Sequence, residues 1–154
     1  MSDYYLPETV LPWALAEPAL EQPYWDAARE NRLLAQRCGS CSTWQWGPEW
    51  ICHHCLSSEM TWEEVPQRGR IYSWERVWHP VHPALVNATP YIVVLVEVEG
   101  AGGIRMLGNL LGDRGQPVEI GGEVRAVFEH HDDDPEKPFT LVQWEAVEPS
   151  ASPA

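Results

Sequence analysis

The four cysteines of the chain form two pairs whose spacing suits metal coordination. Cys38 and Cys41 make one C-x-x-C unit, Cys52 and Cys55 make the other, and ten residues separate the pairs. Each unit lets two sulfurs reach one ion from a tight turn, and two units complete a tetrahedral four-sulfur site. Such a closed site leaves no position for substrate, so the spacing predicts a structural Zn²⁺ ion. Iron fits the same geometry, and two disulfides are the alternative in an oxidising compartment.

Two histidines lie inside the second cysteine pair and could compete for the same ion. His53 and His54 separate Cys52 from Cys55. Neutral imidazole binds zinc, but the side chains of adjacent residues rarely both point at one ion. The predicted ligand set therefore remains the four cysteines.

The composition favours an acidic, water-soluble protein. The 154 residues include 10 Lys and Arg against 23 Asp and Glu, for a net charge of −13. That charge repels phosphate backbones, so nucleic acid is not an expected partner. The sequence has no apolar run of about 18 residues, so no membrane span is expected. Its first residues lack the basic and apolar regions of a signal peptide, which predicts a cytoplasmic location.

Hydrophobic periodicity divides the chain into five segments. Residues 1–22 are Pro-rich and predict an extended arm, and residues 23–36 have the apolar spacing of a helix. Residues 37–65 contain the cysteines, residues 66–147 alternate as strands, and residues 148–154 are expected to be a disordered tail. The alternating strands are expected at 70–78, 91–98, 104–111, 123–129 and 139–144. Five strands without a helical crossover predict a small antiparallel barrel of the OB-fold type, so the fold class is mainly β.

Nine tryptophans are unusual for a chain of this length, and four of them lie in or beside the cysteine region: Trp44, Trp46, Trp50 and Trp62. A metal-bound ribbon has almost no core of its own, and large aromatic side chains provide the most buried area per residue. The tryptophans are therefore expected to form the core of this region. An exposed aromatic docking surface is the alternative.

The order of these motifs resembles a known family. A helix with PYWDAARENRLLAQRC, the paired C-x-x-C units, strands GRIYSW and PYIVVLVEVEG, and a return strand ending LGNLLG follow one another. Together they resemble the rubredoxin-like zinc-ribbon plus OB-fold proteins associated with acyl-CoA metabolism, over roughly residues 22–146. The arm before Pro23 is longer than the resemblance leads one to expect.

The resemblance implies a heteromeric function. Members of the family are commonly partners of thiolase-superfamily proteins, including lipid-transfer-protein-like thiolase homologues with which they act as aldolases. Those aldolases cleave a steroid side-chain acyl-CoA by retro-aldol chemistry, and the reacting groups lie mainly on the thiolase-like chain. The chain is therefore expected to be an accessory subunit that stabilises such a partner and helps to form an acyl-CoA site.

Six residues are candidates for contacts with substrate or CoA: Tyr24, Trp25, Arg29, His79, His82 and Asn109. Arg29 suits a CoA phosphate, although a local ion pair would use it equally well. Tyr24 and Trp25 could stack on an adenine or pack on the ribbon. His79 and His82 lie in a loop that often lines the ligand face of OB-folds, with loop packing as the alternative. Asn109 could contact CoA or tie its strand to a neighbour.

Other functions have weaker support in the sequence. No nucleophile–base set or phosphate loop occurs, and Gly100–Gly103 connects two strands instead of opening a helix. An independent acyl-CoA enzyme is therefore disfavoured, and residues 130–137 are expected to be a solvated acidic loop. Zinc ribbons and OB-folds also bind nucleic acids, which leaves a nucleic-acid-binding module as the alternative function.

Overall fold

The computed structural model describes residues 4–7, 20–80, 82–134, 136 and 138–147. It contains one α-helix, eight strands and one 3₁₀ helix within those ranges, and it confirms the mainly β fold class. The elements are α1 (Gln22–Arg29), β1 (Leu34–Cys38), β2 (Trp44–Gln45), β3 (Met60–Glu64), β4 (Arg68–Val77), the 3₁₀ helix (Pro83–Ala88), β5 (Tyr91–Val98), β6 (Arg105–Asn109), β7 (Glu123–His131) and β8 (Phe139–Ala146). The expected tail and residues 1–3 and 8–19 of the expected arm lie outside the described residues. In the described ranges, no helix has the length and apolar character needed to span a membrane.

The helix ends at Arg29, before the end of the predicted segment 23–36, because the backbone leaves the helical conformation after this residue. Asn31 adopts a left-handed conformation with φ 58°. Asn31 N–H then donates to Ala28 O at 3.0 Å, and Arg32 N–H donates to Ala27 O at 2.9 Å. This pair of bonds is a Schellman motif, which satisfies the last helical carbonyls and turns the chain away. Leu34–Cys38 consequently forms strand β1, although the apolar periodicity alone predicted a helix as far as residue 36.

The cysteine region is built on a small antiparallel sheet with strand order β2–β1–β3. The first strand pairs with both neighbours, so Gln36 lies opposite Gln45 on one side and Trp62 on the other. Both glutamines are almost completely buried. The sheet therefore places Cys38 at the end of its central strand and leaves polar side chains to organise the loops around it.

The second sheet contains five strands in the order β6–β5–β4–β7–β8. Its edges approach at one parallel bridge between Leu110 and Trp144, where Leu111 N–H donates to Trp144 O at 2.7 Å. Because no longer ladder joins β6 to β8 in the described chain, the five predicted strands form an OB-like sheet that does not close fully into a barrel. One irregularity in the β4–β5 register, between Ile71 and Ser73, bends the long strand β4.

A single hydrophobic core joins the two sheets. It includes Ala28 of α1 and Leu33 and Ala35 beside the ribbon, together with many residues of the five-stranded sheet. The β5–β6 turn also packs on the ribbon, because a Cβ added at Gly102 would lie 3.0 Å from Trp44 Cδ1. Ribbon and OB-like sheet are therefore packed into one unit.

Two connections differ from the sequence-based expectation. The Pro-rich loop after β4 contains the 3₁₀ helix Pro83–Ala88, which short proline-containing sequences form readily at connections. Strand β7 continues through His131, so the expected acidic loop begins at Asp132 and not at His130. The strand continues because His131 pairs with Phe139 of β8 and its side chain is buried there.

Candidate metal centre

The four cysteine sulfurs converge on one point of the ribbon. All four Sγ atoms lie within 4.8 Å of one another. Cys38 and Cys52 are buried, Cys41 is half-buried and Cys55 is exposed. In the described residues this is the group of metal-ligand side chains close enough to share an ion. The geometry fits the closed four-sulfur site that the spacing predicted, and it supports a structural metal.

The two knuckles are built in the same way. Cys38 O accepts from Ser42 N–H at 2.8 Å, and Cys52 O accepts from Leu56 N–H at 3.0 Å. Ser42 and Leu56 both have left-handed backbones, with φ 61° and φ 63°. This repeated turn presents two sulfurs from each knuckle to the same point.

A buried glutamine holds the second knuckle in place. Gln45 Oε1 accepts from His53 N–H at 2.9 Å and lies 2.8 Å from His53 Nδ1, while Gln45 Nε2 donates to Ile51 O. These bonds direct the His53 imidazole toward Gln45, away from a ligand role. Sequence reasoning missed Gln45, because nothing in its neighbourhood distinguishes it from a surface glutamine.

The protonation of the thiols shows why the cluster suits a cation. Hydrogen bonds with the side chain and then the backbone of Thr43 lower the pKa of Cys41 to about 5. At Cys55 a backbone hydrogen bond with Ser57 favours the thiolate, but Cys41 and the other two sulfurs outweigh it and raise the pKa to about 12. Four adjacent thiolates repel one another unless a cation compensates them.

Apolar side chains flank the second knuckle on its exposed side. Trp50, Ile51 and Leu56, here called the ribbon-tip patch, are 68%, 49% and 72% exposed. Trp44 and Trp46 instead pack against the core. The core interpretation therefore holds for Trp44 and Trp46, whereas Trp50 is exposed.

The candidate ligand residues on α1 divide between packing and exposure. The Tyr24 ring makes edge contacts with Trp25 at 5.2 Å and with Trp46 at 4.9 Å between centroids, and burial raises the pKa of Tyr24. Trp25 Nε1 is buried without a hydrogen-bond partner in the described chain. Arg29 is exposed in the last turn of the helix.

The remaining three candidates lie elsewhere. His79 and His82 are exposed, and His82 Nδ1 accepts from Ala84 N–H at the start of the 3₁₀ helix. Asn109 donates from its backbone and its side chain to Gln143 Oε1, at 2.8 and 3.2 Å, and so ties β6 to β8. Across the described residues, no hydrogen bond or ring contact joins the candidates on α1, the β4–β5 connection and β6 into one cluster.

Comparison with known families matches both parts of this architecture. Residues 25–61 match the family model of the ChsH2 rubredoxin-like zinc ribbon domain, and residues 62–129 match the model of the ChsH2 C-terminal OB-fold domain. The two matches adjoin and together cover more than half of the chain. The chain belongs to the ChsH2 family. The resemblance seen in the motif order is thereby confirmed.

Several relatives of this ChsH2-family chain are known. The chain of a solved structure titled "Ltp2-ChsH2(DUF35) aldolase" is 32% identical, with a TM-score of 0.71 over 88% of this chain and 98% of that one. A probable enoyl-CoA hydratase alpha subunit from Thermomonospora curvata is 37% identical over 75% of this chain, which spans only 35% of that relative's length. A DUF35 domain-containing scaffold protein from Methanocaldococcus jannaschii is 27% identical over 66% of this chain and 71% of its own length.

Proposed function

We propose that the chain is a zinc-containing accessory subunit. It binds and stabilises a thiolase-like partner of the lipid-transfer-protein type and helps to form an acyl-CoA site. The reaction of the complex is the retro-aldol cleavage of a steroid side-chain acyl-CoA. The observation that carries this proposal is the match over nearly the whole length of a chain from a solved Ltp2–ChsH2 aldolase.

The metal centre supports a subunit role over a catalytic one. Its four sulfurs complete the coordination of an ion, so no position is open to substrate. Zinc prefers this tetrahedral sulfur set and stabilises the fold by its binding free energy. In this proposal the metal shapes a docking surface, and the partner supplies the reacting groups.

The ribbon-tip patch supports a docking role. Its three side chains are large, apolar and exposed beside the knuckle turn, and removing such a surface from water favours association. Exposed aromatic anchors of this kind often dominate the binding free energy of protein interfaces. Of the six residues expected to contact acyl-CoA, three remain exposed: Arg29, His79 and His82. The other three are engaged within the fold: Tyr24, Trp25 and Asn109.

Co-purification with a thiolase-like protein tests the proposal. The wild-type chain should form a stable complex that cleaves a steroid side-chain acyl-CoA. The double variant Trp50→Ser/Leu56→Ser should bind at least about tenfold more weakly, because it removes two exposed anchors. Trp78→Ser is the matched control, since Trp78 is 61% exposed but lies beyond β4.

Two results would contradict the proposal. One is a wild-type chain that stays free in the presence of every thiolase-like protein tried. The other is a complex that hydrates an enoyl-CoA and releases no aldol cleavage product, which would favour the hydratase relative. Metal analysis of each variant verifies that the ribbon remains intact.

A further inference from the structure

A short N-terminal segment lies across the OB-like sheet far from its own sequence neighbours. Residues 4–7 are here called the strap, and Tyr5 within it contacts residues more than 80 positions away along the chain. The residues around it are here called the strap groove: Ile92, Arg114, Glu129 and His131 contact the strap, and Ala88 and Phe139 contact Arg114 and His131, respectively. They come from the 3₁₀ helix, β5, the turn after β6, β7 and β8.

Each polar group of Tyr5 has a partner in the strap groove. Tyr5 N–H donates to Glu129 Oε2 at 2.9 Å, and Tyr5 O accepts from Arg114 Nη2 at 2.7 Å. The Tyr5 hydroxyl accepts from Ile92 N–H at 3.2 Å. Arg114 also lies over the Tyr5 ring, 5.0 Å from its centroid. Two of the bonds involve charged groups, which are the stronger kind of hydrogen bond.

The neighbouring tyrosine is held by stacking. The Tyr4 ring lies 3.8 Å from the His131 ring with an interplanar angle of 24°, and His131 stacks in turn on Phe139 at 4.4 Å. The Tyr4 hydroxyl donates to Asp133. The three rings form a stack that orients the Tyr4 side chain.

The groove holds its shape through contacts that do not involve the strap. Strand alternation places Glu129 and His131 on the face of β7 opposite the core-facing Phe128. Glu129 Oε1 lies 2.9 Å from His131 Nε2 and 3.4 Å from Gln143 Nε2, and Gln143 is fixed by Asn109. These bonds hold the Glu129 carboxylate against the His131 imidazole, and with the strap in place their side chains are 13% and 8% exposed.

One polar atom of this groove still lacks a partner. His131 Nδ1 is buried and has no hydrogen-bond partner in the described chain. Burying such an atom without a hydrogen-bond partner is unfavourable in free energy. The groove therefore offers an aromatic stack, a carboxylate, a guanidinium and an unused ring nitrogen to an extended segment.

We propose that the strap groove is a binding site for an extended peptide segment with two consecutive aromatic residues, and that the strap occupies it in cis. The second aromatic position prefers tyrosine over phenylalanine, because only a hydroxyl accepts the Ile92 N–H. A segment of the same chemistry supplied in trans competes with the strap for the groove. This inference is independent of the proposed thiolase-like partner.

Peptide binding to a full-length variant tests the proposal. The chain with Tyr4→Ala and Tyr5→Ala keeps every groove residue but weakens its own strap. A fluorescently labelled peptide MSDYYLP, titrated by anisotropy, should bind this variant saturably. It should bind at least about tenfold more tightly than MSDAALP and about threefold to tenfold more tightly than MSDYFLP.

Competition in cis provides the internal control. The wild-type chain should bind the same peptide at least about tenfold more weakly than the double variant, because the tethered strap has a high effective concentration. Adding Arg114→Ala to the double variant should abolish binding, and adding Arg125→Ala should not, since Arg125 pairs with Glu145. Equal binding of MSDYYLP and MSDAALP, or equal binding by wild type and double variant, would overturn the proposal.

A milder variant covers the case in which the double variant does not fold. In the full-length Tyr5→Phe chain the Ile92 amide loses its acceptor, so its hydrogen should exchange faster than in wild type. Excess MSDYYLP should restore the protection of this amide, and MSDAALP should not. An Ile92 exchange rate that is unaffected by both peptides would refute peptide binding at the groove.

Discussion

At the scale of single residues, the second knuckle separates the roles of cysteine and histidine. The sulfurs of Cys52 and Cys55 face the other cysteine pair, whereas the His53 ring is bonded to Gln45. His54 N–H donates to Cys52 Sγ at 3.4 Å, and its side chain also hydrogen-bonds with Cys41. A backbone contact of this kind survives replacement of the side chain.

We predict opposite effects for two substitutions in this region. Cys38→Ser should abolish stoichiometric metal binding and unfold the ribbon, because a structural site needs all four thiolates. His54→Ala should retain one bound ion per chain and the same fold. Metal content by mass spectrometry together with circular dichroism measures both effects, and metal loss in His54→Ala would show that an imidazole is a ligand.

The metal ligands could be predicted from the sequence, but the residues of the strap groove could not. The C-x-x-C spacing is local, and it determines which sulfurs can meet. The environment of Glu129 and His131 depends on Tyr4 and Tyr5, more than 120 positions away. No local pattern signals such a contact, so His130 and His131 were predicted to lie in a solvated acidic loop.

At the scale of elements, strands were predicted better than the helix. The span of β5 was predicted to the residue, since it is a short apolar run that alternates at its end and a glycine-rich turn follows it. The end of α1 depends on the backbone conformation of Asn31, and apolar periodicity does not report that. The short ribbon strands bury polar glutamines and so lack the pattern that identifies a strand.

The contact between β6 and β8 is tight enough to require glycine. A Cβ added at Gly108 would lie 2.8 Å from both Trp144 Cδ1 and Val142 O. Trp144 is fully buried and cannot move aside without disturbing the core. The close approach lies next to the Leu110–Trp144 bridge, where the two edge strands of the sheet meet.

We predict that Gly108→Ala destabilises the chain by about 1–3 kcal/mol, the usual effect of overpacking a core. Gly47→Ala is the matched control, because a Cβ there meets no atom within 4 Å and the backbone needs no positive φ. Urea unfolding followed by tryptophan fluorescence measures both free energies. Equal stability of the two variants would mean that the Gly108 contact relaxes at little cost.

At the scale of the whole molecule, the shared core couples the metal site to the OB-like sheet. Ala35 of β1 belongs to the same cluster as Ile92, Val94 and Trp144 of the larger sheet. The ribbon cannot unfold without exposing part of this cluster. Metal binding should therefore stabilise residues that lie far from the sulfurs.

We predict that chelation lowers the unfolding temperature of the entire chain in one cooperative transition, by roughly 10 °C or more, because structural zinc contributes several kcal/mol. Thermal unfolding with and without EDTA, followed by far-UV circular dichroism and by tryptophan fluorescence, measures the shift. Readmission of Zn²⁺ is the control for reversibility. Two separate transitions, with the later one insensitive to EDTA, would show that the sheets unfold independently.

Leu56 illustrates a conflict between folding and assembly. Its left-handed backbone disfavours a branched, bulky side chain by roughly 1–2 kcal/mol relative to glycine, and its side chain is 72% exposed. The isolated molecule would be more stable with glycine at this position. If the ribbon-tip patch docks a partner, selection at this residue acts on the complex at the expense of the free subunit. Sequence optimisation for the stability of the single chain would then replace the leucine and weaken assembly.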